Sequence, residues 1–103
     1  MRMEPPHIQA YRRQQVAGAG PIQLLLITYE QALAGCRRKD RFLARRAVEE
    51  LIGSLDFDQE GAGGLLVLYE WVLRLLREGK FAQAEQILDE LHTAWSGALA
   101  AAG

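Results

Sequence analysis

Apolar residues fall at helical spacing in four blocks along this chain. In the first, Pro21 opens a run in which Ile22, Leu25, Leu26, Tyr29, Leu33 and Cys36 recur every three or four residues, the stripe of a helix that buries one face. Leu24 and Ile27 fall outside that stripe and give the helix more apolar surface than one face hides. Proline suits the first helical position, where its missing N–H has no partner to lose, so the pattern predicts a helix over 21–36. Arg37-Arg38-Lys39-Asp40 interrupts it, and Leu43, Ala47, Val48, Leu51 and Leu55 resume the period over 40–55. Asp56 to Gly64, acidic and then Gly-rich, reads as a linker. The third block, 64–78, carries the stripe Leu65, Leu68, Tyr69, Val72 and Leu76, joined around the circumference by Leu66, Val67, Trp71, Leu73 and Leu75. Glu78-Gly79-Lys80 then makes a tight turn with Gly79 left-handed. Over 80–99, Phe81, Ala84, Leu88, Leu91, Trp95 and Leu99 alternate spacings of three and four, as at a bundle seam.

Short connections between four such helices predict an all-α fold, an antiparallel four-helix bundle over 21–100. Residues 1–20 read differently. Pro5-Pro6 blocks helix, Gly18-Ala19-Gly20 supplies a hinge, and Ile8, Tyr11 and Val16 are scattered among Gln and Arg. That is the composition of a flexible N-terminal arm that docks onto a domain.

At 103 residues, half of them apolar and with a net charge of -1, the chain is sized for one domain with one core. Its longest apolar runs, Leu24 to Ile27 and Leu65 to Leu68, fall far short of the roughly 20 residues of a membrane span. The N-terminus lacks the apolar core and small-residue cleavage site of a secretory signal, so a cytoplasmic protein is expected. The single cysteine, Cys36, lies on an apolar stripe and reads as a buried thiol. His7 and His92 have no partners at ligand spacing, and Asp56, Asp58 and Glu60 begin a calcium-loop pattern that fails at Val67, where the closing Glu belongs. No enzyme, metal or cofactor is expected.

Several pieces in order resemble the FliS family of flagellar secretion chaperones. These are Tyr11 and Val16, Gly18-Ala19-Gly20-Pro21 leading to Thr28-Tyr29-Glu30, Ser54-Leu55-Asp56 with the Gly61–Gly64 loop, Leu68-Tyr69-Glu70-Trp71-Val72, and Leu91-His92-Thr93-Ala94-Trp95. The resemblance spans 11–99. The chain departs from it in having Gly20 where the family caps the first helix with Ser, and a first hairpin shorter by roughly four helical turns. The resemblance implies a four-helix bundle that binds the C-terminal segment of flagellin, keeps it from polymerising early and delivers it to the flagellar export apparatus. It also implies that the arm shields the groove when no client is bound.

The partner-binding residues expected on these grounds are the off-stripe set Leu24, Ile27, Leu66, Val67, Trp71 and Leu73, with Ile8, Tyr11 and Val16 of the arm. Leu25, Tyr29, Leu68, Leu88, Leu91 and Trp95, on the stripes, are expected in the core. A homodimer interface uses such surplus surface equally well. Two other classes stay open. Glu78 to Leu88 resembles a tetratricopeptide-type helix pair, although no matching period is read earlier in the chain. The cluster Arg37, Arg38, Lys39, Arg41, Arg45 and Arg46 is a candidate for nucleic-acid contact, but Glu49 and Glu50 follow it, so a solvated hairpin tip is the expectation and neither nucleic acid nor membrane is an expected partner.

Overall fold

The structure is a computed structural model that describes residues 20–102, with four helices and no strand among them. They are α1 (Pro21–Arg37), α2 (Arg41–Gly53), α3 (Ala62–Arg77) and α4 (Phe81–Ala102). The expected arm, with Ile8, Tyr11 and Val16, lies outside the described residues. Each helix packs against its two neighbours around a ring, α1 on α2 and α4, and α3 on α2 and α4, without close backbone approach across the diagonals. This is the four-helix bundle that the apolar periods predict. Packing is uneven, since α1 is clasped extensively by both neighbours while α3 is covered more sparsely.

Local sequence explains where each helix starts and stops. Gly20 offers no capping hydroxyl, but the Gln23 side chain reaches back and accepts from the Gly20 N–H at 2.7 Å, half of a capping box. Asp40 caps α2, its Oδ1 accepting from the Leu43 N–H at 3.0 Å. α3 starts two residues earlier than the Gly-rich linker suggests, because Gly61 takes the left-handed conformation at φ 90° and the helix begins directly after it. Gly63 and Gly64 therefore belong to the helix.

The α1–α2 and α3–α4 turns are built alike. In the first, the Lys39 and Asp40 N–H groups donate to the Cys36 and Gly35 carbonyls; in the second, those of Gly79 and Lys80 donate to Leu76 and Leu75. Both are Schellman closures, each needing a left-handed residue. Gly79 meets that need at φ 73°, but Lys39 adopts φ 54°, a conformation that costs an ordinary residue roughly 1–2 kcal/mol.

The likeness extends along both hairpins. A shift of 40 residues, the separation of Tyr29 and Tyr69, pairs Leu25 with Leu65, Leu26 with Leu66, Tyr29-Glu30 with Tyr69-Glu70, Leu33 with Leu73, Arg37 with Arg77, Ala44 with Ala84, and Glu50-Leu51 with Glu90-Leu91. The chain thus contains two αα-hairpins alike in turn geometry and in these aligned positions, while the Glu78–Leu88 segment itself matches 38–48 only at Ala44, so no tetratricopeptide period recurs. On the bundle diagonal the Tyr29 and Tyr69 hydroxyls meet at 2.5 Å, each residue at most 1% exposed. Trp95 Nε1–H donates to the Tyr29 oxygen at 3.2 Å. Around this contact lie Leu33, Val48, Leu51, Val72, Leu76 and Leu88, all buried. α1 and α2 approach closely at Gly35, where a Cβ would lie 2.5 Å from the Ala44 nitrogen. Glycine is required there by space, not by backbone angle.

Candidate functional site

Among the described residues the sparsely covered α3 exposes three neighbouring large apolar side chains. On the outer side of α3, Val67 is 65% exposed, Trp71 49% and Leu68 39%. Together with Ile87 of α4 they line an open groove of about 550 Å³, bordered by Glu70, Arg74 and Arg77. The Arg74 guanidinium lies over the Trp71 ring, 5.8 Å from its centroid, and its Nε–H donates to Glu78 at 3.4 Å. A cation placed so is attracted by the face of the indole, by about 0.5–1 kcal/mol at an exposed site.

The expected partner-binding residues divide. Val67 and Trp71 come together in the groove, and Leu66 and Leu73 are half-buried, with Leu73 packed against the core. Ile27 is 39% exposed but lies on α1, outside the groove lining. Leu24 is buried at 8% exposure, a correction to its expected role. Because α1 is held between α2 and α4, it buries a second row, Leu24, Thr28 and Ala32, beside the Tyr29, Leu33 and Cys36 row. Leu68 is corrected in the opposite sense. At 100° per residue it sits on the border of the face that Tyr69, Val72 and Leu76 bury, and α3 is too sparsely covered to hide that border. Ile87, Arg74 and Arg77 were not anticipated. A pointer to Ile87 does lie in the sequence, since its counterpart in the other hairpin is the small, buried Ala47.

The buried ionisable groups among the described residues are held in their neutral forms. Burial raises the pKa values of Tyr29 and Tyr69, keeping both phenols protonated. Burial, reinforced by Glu85, pushes the Cys36 thiol up to about 11, which leaves it protonated and unreactive near neutrality. His92 Nε2 lies 3.3 Å from Glu30 Oε2 on the surface. Among the described residues no three His, Cys, Asp or Glu side chains cluster as metal ligands, and no helix is long and apolar enough to cross a membrane.

The surrounding sequence repeats this division. In the α1–α2 hairpin, the positions equivalent to Leu68, Trp71, Arg74 and Ile87 are Thr28, Gln31, Ala34 and Ala47. The same hairpin therefore folds without the aromatic, the arginine or the larger aliphatic, so the bundle itself does not demand them. No family model, curated protein or solved structure matches the chain.

Proposed function

We propose that this protein is a helix-binding chaperone whose α3–α4 groove holds an amphipathic segment, and that the segment is the C-terminal region of flagellin before export. The carrying observation is Trp71, a half-exposed aromatic flanked by Val67 and Leu68 and capped by Arg74, lining a groove with residue types that the equivalent positions of the sister hairpin, Thr28, Gln31 and Ala34, do not supply. Amphipathic helices bind such grooves through anchors at i, i+3, i+4 and i+7. Exposed Trp with nearby Arg is the usual composition of an energetic centre in an interface. The choice of flagellin rests on the ordered sequence resemblance; the choice of a helical apolar client rests on the groove.

A client that is disordered until bound loses conformational freedom on docking, so its affinity comes from buried apolar area and shows as a negative heat-capacity change. Isothermal titration calorimetry of the full chain against a peptide covering the flagellin C-terminal helices tests the reading. Binding with a negative heat-capacity change and little salt dependence supports it. Absence of heat at every temperature and salt concentration overturns it for flagellin.

A further inference from the structure

The charges of this bundle are sorted by end. All nine lysines and arginines between residues 20 and 102 fall in 37–46 and 74–80, while nine of the twelve carboxylates in the same span lie outside 37–46 and 74–85. Both three-residue turns sit at one end of the bundle: Arg37 Nε–H donates to Glu85 of α4 at 2.8 Å, and the Arg41 guanidinium lies beside Gly79. The loop 54–61 lies at the other end, separated by the 13 residues of α2, about 20 Å of helix. Among the described residues one end is strongly basic, and the loop at the far end carries carboxylates and no lysine or arginine.

Each end also exposes an aromatic ring. At the basic end Phe42 is 59% exposed, with the Arg45 and Arg46 guanidiniums 5.5 and 5.7 Å from its centroid. At the acidic end Phe57 is 61% exposed between Asp56 and Asp58. The fold does not ask for the basic cluster. The second hairpin makes the same turn with Phe81, Ala82, Glu85 and Gln86 in place of Arg41, Phe42, Arg45 and Arg46. Local energetics oppose it as well, since Lys39 is held in a left-handed conformation and Arg41 places a cation in the first turn of α2, against the helix dipole. A basic, aromatic surface set against these local preferences suits a partner's contact.

We infer that this partner is a second copy of the chain, the Asp56–Glu60 loop of one molecule docking on the Arg41-Phe42-Arg45-Arg46 surface of the next. The two patches are complementary in charge and in aromatic content, and their separation forbids them from meeting within one molecule. A nucleic-acid backbone fits the basic end less well, because the rest of the bundle is uniformly acidic and repels it. The contact is heterologous, so it propagates head to tail and does not close on itself as a twofold dimer does. It uses the bundle ends and leaves the α3–α4 groove open along the side.

Sedimentation equilibrium of the full chain from micromolar to millimolar concentration, with two exposed-surface variants, tests this. One variant carries Asp56→Asn, Asp58→Asn and Glu60→Gln; the other carries Arg41→Gln, Arg45→Gln and Arg46→Gln. Their helical circular dichroism should match wild type. The wild-type mass is expected to climb past the dimer at 0.01 M salt and fall to monomer at 1 M, as the screening length drops from about 30 Å to about 3 Å. Each variant alone stays monomeric. An equimolar mixture stops at a one-to-one dimer, because one copy retains only the basic end and the other only the acidic end. Wild type that is monomeric throughout or stops at a dimer overturns the inference, as do variants that assemble like wild type or a mixture that stays monomeric. Monomeric wild type that instead binds a polyanion through the arginines assigns the basic end to that ligand.

Discussion

Two glycine-to-alanine substitutions should have opposite signs. Both Gly35 and Gly97 are helical, and at both alanine gains up to about 1 kcal/mol of helix propensity. At Gly97 nothing lies within 4 Å of the added Cβ, so that gain appears undiminished. At Gly35 the Cβ would lie 2.5 Å from the Ala44 nitrogen and 2.8 Å from its Cα and Cβ, where ordinary contact begins at 3.4 Å. Backbone atoms cannot rotate aside, so α1 and α2 must part by about 0.9 Å, enough to forfeit a quarter to a half of the dispersion well at each facing contact. Overpacking of this kind costs roughly 1–3 kcal/mol. Taking the upper figure for a clash with backbone and subtracting the propensity gain leaves a net loss of about 2 kcal/mol. For a domain of this size that lowers Tm by roughly 10 °C, while Gly97→Ala raises it by a few degrees. Thermal unfolding followed by circular dichroism reads both. Gly35→Ala as stabilising as Gly97→Ala would refute the close approach of α1 and α2.

Tyr29→Phe should cost more than Tyr69→Phe, because the Tyr29 oxygen serves both Tyr69 and Trp95 and each buried group left unpaired costs about 1–3 kcal/mol; in urea unfolding the double variant should fall short of the sum. Lys39→Gly should raise stability by about 1 kcal/mol through relief of the left-handed conformation, whereas Gly79→Lys should lower it, both read from the denaturation midpoint. For Cys36 the folded-state pKa lies above the ordinary value of 9.0, so the native state holds the thiol proton more tightly. Its contribution to stability is complete below about pH 9 and is lost as pH rises through about 11. Denaturation across that window should show a shallower decline for Cys36→Ala than for wild type, and native Cys36 should react slowly with a thiol reagent at neutral pH.

Much of the fold is legible in sequence because local rules suffice for it. Pro21 and Gly79 place the ends beside them within a residue, and the three-and-four spacing places α4 to within three residues of its end at Ala102. What local rules miss depends on neighbours. Leu24 lies just outside the stripe of its helix and Leu68 at the border of its own, and whether such a position is buried is decided by how tightly the adjacent helices clasp it. The start of α3 was obscured because Gly63 and Gly64 suggest a loop on propensity alone, yet they lie in helix beyond the left-handed Gly61. The likeness of the two hairpins is faint in the sequence because its few identities are spread over two helices. Matching turn hydrogen bonds and the Tyr29–Tyr69 contact bring it out. Of the groove, Val67 and Trp71 were readable as surplus apolar positions, while Ile87 and Arg74 join them only through the packing of α4 and the stacking on the indole.

The central claim is that the α3 face around Trp71 holds a helical client. The most direct test is the calorimetric titration of the flagellin C-terminal peptide into a Val67→Ser, Trp71→Ala variant beside wild type, with thermal unfolding of both proteins as the control. Val67 is mostly exposed and Trp71 half exposed, so the variant should melt only a few degrees below wild type. Truncating an aromatic anchor at the centre of an interface costs about 2 kcal/mol or more, so affinity should fall at least thirtyfold, roughly tenfold for each 1.4 kcal/mol. Unchanged affinity in a variant that melts within a few degrees of wild type would contradict the account and place the client elsewhere on the bundle.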